Sequence, residues 1–483
     1  MFVSRAEPHS SLRAVAYVIA AFSMLAVFLI GCGREPVEED EKRNPVADKP
    51  NIILVMTDDQ DVESAKHMPH LESLIAERGT TFENAFVTDA LCCPSRATIL
   101  RGQYSHNHGI VGNEWPNGGF RKFRTSGAES ATIATRMKSA GYRTAYFGKY
   151  LNGYRHKHVP PGWDEWRAVA GSYLSDFLSE NGEFEYYDPE KTHDTDVLAD
   201  KAVGYVDDAS SKDPPFFAVI APRAPHDPAI PAPRHEGDFE GEPLPRPPSF
   251  NEGDVSDKPA WIRARQNLSP ETIAYLEALH ENRLESLQSV DEIFPRLIET
   301  LRENKALENT YIVFTSDNGY HMGHHRLPAG KWTPYEEDIR VPLVIRGPGV
   351  PEGRKIEEFA LNNDFAPTFA DLAEAKPSPM HDGSSLAPLL DETPPANWRT
   401  AFLVEEAEKE GARRPELTAI RTKSSIYIEY ASGEREFYDL ERDPFQLENK
   451  YETADPDVLR RMENRLEELR NCEGEDCRIA EGF

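Results

Sequence analysis

Two acidic pairs, Asp58-Asp59 and Asp317-Asn318, each follow a short apolar run. Each pair therefore sets oxygen-bearing side chains at the end of a predicted strand. Four oxygen donors with no accompanying His or Cys pattern suit a hard cation, calcium or magnesium, and not zinc. A third feature is the adjacent pair Cys92-Cys93. Neighbouring cysteines rarely bridge, because the geometry is strained. They are either two buried small residues or a pair with one reactive member, and the surroundings of Cys92 must decide.

The elements that position these residues can be read from the apolar runs. Asn51–Met56 runs into Thr57-Asp58-Asp59-Gln60, and Thr144–Phe147 into Gly148-Lys149. Phe216–Ala221 runs into Pro222 to His226, and Tyr311–Thr315 into Ser316-Asp317-Asn318-Gly319. Continuous apolar runs of this length predict strands buried on both faces. Amphipathic helices are expected between them at Pro69–Arg78, Ile133–Ala140 and Ser269–Asn304. The last opens with Ser269 as N-cap and Pro270 at the first helical position, and Pro295 should kink or split it. Alternating strands and helices predict an α/β fold with a largely parallel sheet. In such sheets ligands bind beyond the carboxyl ends of the strands. All four polar clusters follow strand ends, so they can converge on one site.

Residues 223–268 are rich in proline and acidic residues without periodicity, which predicts a long loop shaping a substrate entrance. After about residue 395 the pattern changes. Short strands are expected at Leu417–Arg421, Ser425–Tyr430 and Glu436–Leu440, then a helix at Pro456–Arg470 capped by Asp455. This predicts a smaller α+β C-terminal subdomain. No internal repeats are found.

Cys92-Cys93-Pro94-Ser95-Arg96, continuing to Arg101-Gly102, resembles the signature of the sulfatase family. The resemblance implies an alkaline-phosphatase-like fold, with a large mixed, mostly parallel sheet flanked by helices. It implies that a dedicated enzyme oxidises Cys92 to formylglycine. A hydrated aldehyde carries two hydroxyls on one carbon. One attacks sulfur and displaces the alcohol; the other then loses its proton, and the carbonyl re-forms as sulfate leaves. Neither Ser nor unmodified Cys could release sulfate by this route. The implied metal is calcium, with magnesium as the alternative, held by Asp58, Asp59, Cys92, Asp317 and Asn318. Residues 95–101 are expected to be helical, starting just after Cys92, which adds a favourable field for an anion.

The cationic residues follow from the same resemblance. Arg96 resembles the family's Arg that holds formylglycine and metal, and Lys149 the Lys that contacts sulfate. His226, in Ala224-Pro225-His226, resembles the His that binds sulfate or assists the leaving oxygen. Lys331 resembles the Lys preceding the R-V-P-L segment, here Arg340-Val341-Pro342-Leu343. Many sulfatases have His two residues after the first Lys; here Leu151 stands there, followed by Asn152. N-acetylglucosamine-6-sulfatases and heparan sulfate endosulfatases have a similar G-K-Y-L-N, and the likeness to that branch spans roughly residues 50–385. It implies a 6-O-sulfated amino sugar of a glycan as substrate, with Asn152 facing the site and His226 or another His as base. The endosulfatases' long basic insertion is absent, which points to exo action or a small substrate. His106, His108, His321, His324 and His325 are candidates for the pocket wall, with His321 the one expected to bind substrate.

The whole chain bounds these readings. Its 483 residues carry a formal charge of −29, which argues against a nucleic-acid partner. An anionic substrate would require cations gathered locally, and Arg96, Lys149, His226 and Lys331 answer that need. Arg5 and Arg13, an apolar run from Ala14 to Ile30 and Leu29-Ile30-Gly31-Cys32 resemble a bacterial lipoprotein leader, with Cys32 lipidated and the protein exported and membrane-anchored. Cys472 and Cys477 are expected to pair in an oxidising compartment. The expected organisation is a leader at 1–32, a flexible tether at 33–49, a catalytic domain at 50–394 and a C-terminal subdomain at 395–483. Competing readings are a broad arylsulfatase, a phosphate or phosphonate ester hydrolase of related fold, and a non-catalytic binder of sulfated glycan should Cys92 stay unmodified.

Overall fold

Along the first strand, Ile52, Leu54 and Met56 point into one apolar layer, and Ile53 and Val55 into another. Side chains alternate along a strand, so burial on both sides requires a sheet covered on two faces. The computed structural model describes residues 49–170, 177–188, 191–376, 378, 380–408 and 414–482 and contains that sheet. The expected leader, Cys32 and nearly all of the tether lie outside the described residues.

The sheet has ten strands. They are β1 Asn51–Thr57, β2 Thr80–Phe82, β3 Arg143–Gly148, β4 Glu165–Val169, β5 Phe177–Glu180, β6 Glu183–Tyr186, β7 Phe216–Ala221, β8 Thr310–Ser316, β9 Leu343–Arg346 and β10 Arg354–Ile356. Their spatial order is β10-β2-β9-β8-β1-β7-β3-β4-β5-β6. The central strands β8, β1, β7, β3 and β4 are parallel. β9, β5 and β6 run antiparallel to their neighbours. This is the expected alkaline-phosphatase-like architecture, a mixed and mostly parallel α/β sheet.

The four apolar runs form β8, β1, β7 and β3, neighbours at the centre of the sheet. Register pairs Thr57 with Ser316 and Gly148 with Ala221. Asp58, Asp317 and Lys149 therefore leave the sheet along one edge. Gly148 has φ +107°, and a Cβ there would lie 2.0 Å from the Ala221 carbonyl oxygen. Only glycine lets the chain turn this closely into Lys149.

Helices Asp194–Ser210, Pro270–Asp291 and Ile293–Glu303 cover one face, and Cys92–Arg101, Ile133–Ser139 and Phe365–Leu372 the other. The long stretch is split at Glu292, because Pro295 lacks an N–H and its ring opposes the carbonyl of Asp291. Three expectations need correction. Helix Cys92–Arg101 begins at Cys92 itself, with Leu91 as N-cap. The expected Pro69–Arg78 helix is a short α-turn at Pro69–Leu71 followed by a π-turn at Glu72–Ala76. The C-terminal region holds a strand, Ala401–Glu406, and a helix, Glu475–Ala480, beyond those read from sequence.

Ala401–Glu406 edges a four-stranded antiparallel sheet with Leu417–Thr422, Ser425–Tyr430 and Arg435–Asp439. Helix Pro456–Arg470 packs on it, with the Asp455 carboxylate accepting from the Asp457 N–H. A disulfide joins Cys472, just after this helix, to Cys477 in helix Glu475–Ala480. Just before this sheet, the Arg399 guanidinium donates to both oxygens of Asp364, at 2.9 and 2.6 Å, with neither side chain exposed. Removing one partner would leave an uncompensated buried charge. Arg399→Met is expected to cost about 3–5 kcal/mol in urea unfolding. Removing the exposed Arg78–Glu352 pair should change stability by less than about 0.5 kcal/mol. Equal small effects would contradict this assignment.

Candidate active site

Cys92 is fully buried at the first turn of its helix. Its Sγ lies 3.5 Å from Asp58 Oδ1 and 3.6 Å from Asp59 Oδ1. Lys331 Nζ stands 2.8 Å from the same sulfur and is also bonded to Asp59 Oδ1. Lys149 Nζ donates to Asp58 Oδ2 at 2.6 Å. Arg96 donates from Nε to Asp317 Oδ2 at 2.7 Å and from a terminal nitrogen to the Lys149 carbonyl at 2.5 Å. His226 Nε2 is 3.5 Å from Asp59 Oδ2, while its Nδ1 lies 2.6 Å from the Asp227 carbonyl oxygen. A proton on Nδ1 leaves the lone pair of Nε2 facing the site. Four parallel strands, one helix N-terminus and the loop after Ala329–Gly330 thus bring Asp58, Asp59, Cys92, Arg96, Lys149, His226, Asp317, Asn318 and Lys331 together.

Burial alone would raise the pKa of Asp58, but Lys149, His226 and Arg96 hold it well below the usual carboxylate range. Burial also acts to raise Asp59, and Lys331 and His226 bring it to about 2. Both carboxylates are therefore ionised. Burial pushes the Cys92 thiol well up; Lys149 and Lys331 oppose this, and Asp58 and Asp59 reinforce it. A protonated thiol is a poor nucleophile and a poor metal ligand.

The donor set fits a hard cation. Ligand atoms of Asp58, Asp59, Cys92 and His226 all lie within 4.8 Å of one another. Asn318 Nδ2 donates to Asp59 Oδ1 at 2.8 Å, while its Oδ1 is buried without a hydrogen-bond partner. Asp317 Oδ1 accepts from the Asp59 N–H at 3.0 Å, which ties the two acidic pairs together. Ionised carboxylates and an orphaned amide oxygen are calcium-type donors. His226 belongs to the geometric cluster but is a softer donor than this chemistry favours.

Arg283 was not foreseen. It lies in the buried stripe of helix Pro270–Asp291, under Asp59, and donates to the backbone oxygens of Asp59 at 2.6 Å and Pro225 at 3.1 Å. Asp59 has φ +66°, a left-handed conformation held by these contacts. A charged residue inside an apolar helical stripe was the available signal.

The site opens into a cleft of about 740 Å³ lined in part by Trp115, Trp261 and Trp332. His321 lines it, with Nδ1 2.9 Å from Asp338 Oδ1. Asn152 lines an adjoining cleft of about 510 Å³ beside Lys149. Leu151 is buried in the core. His106, His108, His324 and His325, also expected at the pocket wall, do not line the main cleft. His108 bonds Thr98 at 2.9 Å, His325 is buried against Glu252 at 2.7 Å, and His324 accepts from the Met322 N–H at 3.1 Å.

His106 instead ties helix Ser105–His108 to the C-terminal sheet, 3.0 Å from Glu405 and 3.0 Å from the Cys472 carbonyl oxygen. Burial lowers its pKa, but the bond to Glu405 outweighs that and raises it to about 9. The folded pKa lies above the unfolded value of about 6.5, so the stabilisation is complete below about pH 6.5 and fades as pH rises through about 9. His106→Gln is expected to lower the melting temperature most near pH 6 and least near pH 10. An equal loss at both would contradict the ion pair.

A model of the sulfatase family matches residues 50–375, and a model of the N-sulphoglucosamine sulphohydrolase C-terminal region matches residues 323–472. An arylsulfatase of Volvox carteri is 36% identical over 497 residues, covering 89% of this chain and 76% of the relative. The N-acetylglucosamine-6-sulfatase of Homo sapiens is 35% identical over 476 residues, covering 89% of this chain and 86% of the relative. A solved structure of a protein in complex with its substrate D-glucosamine-2-N,6-O-disulfate aligns with TM-score 0.77 and 26% identity, covering 89% of this chain and 98% of that one.

Proposed function

We propose, on the premise that this chain belongs to the sulfatase family and hydrolyses sulfate esters, that its substrate is a 6-O-sulfated N-acetylglucosamine-type sugar of a glycan. The observation that carries this reading is the cleft of about 740 Å³ lined by Trp115, Trp261 and Trp332 beside Cys92 and its cations. Aromatic faces present large, rigid apolar surface with polar edges, which suits a sugar ring. The relatives' substrates point the same way.

In this reading Cys92 is converted to formylglycine by a maturation enzyme, and calcium is held by Asp58, Asp59, Asp317, Asn318 and residue 92. The ion would add positive charge beside the sulfate, and the modified side chain would supply the nucleophilic oxygen. Lys149 and Lys331 hold and orient the sulfate oxygens, and Arg96 fixes Asp317 against the helix that carries Cys92. His226 moves the proton: held at Nδ1 by the Asp227 carbonyl, it presents Nε2 toward the site, where it can serve the leaving oxygen or the reset step. That assignment fills the role vacated by Leu151. His321 and Asn152 border the sugar from the two clefts. The N-terminal sequence supports export and anchoring through a lipid on Cys32.

Paired assays test the reading. N-acetylglucosamine-6-sulfate should be hydrolysed with kcat/KM at least about 100-fold above that for 4-nitrophenyl phosphate. Faster phosphate turnover, or turnover of 4-nitrophenyl sulfate with none of the sugar sulfate, would reject it. The second outcome would leave a broad arylsulfatase, the reading that the Volvox relative favours.

A further inference from the structure

Five basic side chains line the main cleft: His226, Arg265, His321, Lys331 and Arg414. Four face a carboxylate: Lys331 and His226 face Asp59, His321 faces Asp338 at 2.9 Å, and Arg414 faces Glu406 at 3.3 Å. Arg265 differs from these. It has no acidic partner among the described residues, and its Nε is buried without a hydrogen bond. Its guanidinium carbon lies 5.8 Å from the centre of the Trp261 ring, on the same cleft wall. Burial lowers its pKa, and no carboxylate acts to raise it.

We propose that Arg265 binds a second anionic group of the glycan substrate, separate from the sulfate that is hydrolysed. This rests on the sugar reading above. A half-buried guanidinium with an unsatisfied nitrogen is costly unless an acceptor arrives. Its planar fork matches a sulfate or carboxylate, and the Trp261 ring lies within cation–π range at 5.8 Å. In a chain of net charge −29, an arginine left without a carboxylate at a substrate cleft is available to an incoming anion. It is also held in place. The Ala260 N–H donates to Glu434 at 2.8 Å, and Lys258 is buried with a bond to the Leu447 carbonyl at 2.9 Å. Arg326 donates to the Arg265 carbonyl at 3.2 Å. The C-terminal region and the Arg326 loop therefore fix the segment that carries Arg265, and a prepositioned donor loses little entropy on binding. The anion can be an N-sulfate on the same sugar or the carboxylate of a neighbouring uronic acid.

The test uses 4-nitrophenyl sulfate as reporter. Three competing sugars are compared: N-acetylglucosamine-6-sulfate, glucosamine-2-N,6-O-disulfate, and a disaccharide joining N-acetylglucosamine-6-sulfate to a uronic acid. The full-length enzyme should bind one of the two dianionic sugars more tightly than the monosulfate. Arg265→Gln should shrink that preference about tenfold, and Arg265→Lys should retain part of it. Loss of preference for the disulfate identifies the N-sulfate; loss for the disaccharide identifies the carboxylate. Unchanged ratios in Arg265→Gln, at an unchanged melting temperature, overturn the proposal, as does no preference in the unsubstituted enzyme. Inhibition without hydrolysis of any sugar would reject the glucosamine reading while the inhibition constants still decide on Arg265.

Discussion

Replacing Cys92 by Ala is expected to lower kcat/KM for sulfate esters by roughly 10⁴-fold or more, at a nearly unchanged melting temperature. The reacting atom is lost, while the lysines, carboxylates and Arg96 around it stay in place. The substitution removes one buried atom from a helix start where Ala is well tolerated, so the fold should survive. Cys92→Ser separates two properties of the nucleophile. Its hydroxyl can attack sulfur, but with no second hydroxyl on that carbon it cannot expel sulfate. Any turnover should stop at one equivalent, with sulfate left on residue 92, as mass measurement would detect. Sustained turnover by either variant would contradict the account. By contrast, Cys93, whose N–H bonds Asn113 at 2.9 Å, packs in the core and should accept Ala at a stability cost only.

The second large effect concerns the carboxylates. Asp59→Asn is expected to reduce kcat/KM about 10³-fold, with activity that rises again only at much higher calcium. Asp59 faces Lys331, His226 and Asn318, and its carboxylate is held ionised, its pKa brought to about 2. The amide removes that charge without changing the shape of the side chain. Chelation of the unsubstituted enzyme should abolish hydrolysis, and calcium should restore it. Full activity after exhaustive chelation would rule out the metal.

Much of the fold was legible because continuous apolar runs have one economical solution. NIILVM, TAYF, FFAVIA and YIVFT can be buried only inside a covered sheet, and they form its four central strands. The polar residues that follow them had to gather at one edge, so the acidic pairs and Lys149 were readable together. The two strands at one end of the sheet were not: β2 and β10 are three residues each and exist only through pairing with distant partners. His106 illustrates the same limit. Its motif neighbourhood suggested the pocket, but its partner Glu405 lies 299 positions away in strand Ala401–Glu406, and nothing in the sequence pairs the two. Trp115, Trp332 and Arg265 lie in irregular segments and Trp261 in the one-turn helix Ala260–Arg263, where type and spacing say nothing about what faces the site. Their place becomes visible only when the C-terminal sheet closes against the loop of residues 223–268.

The central claim is that residue 92 is a formylglycine acting among these cations, and the tryptic peptide ending at Arg96 tests it most directly. In protein purified from its native host, mass spectrometry should find residue 92 lighter than cysteine, having lost sulfur and two hydrogens and gained one oxygen. The modified fraction should track specific activity across preparations. Fully active protein carrying only unmodified Cys92 would contradict the account.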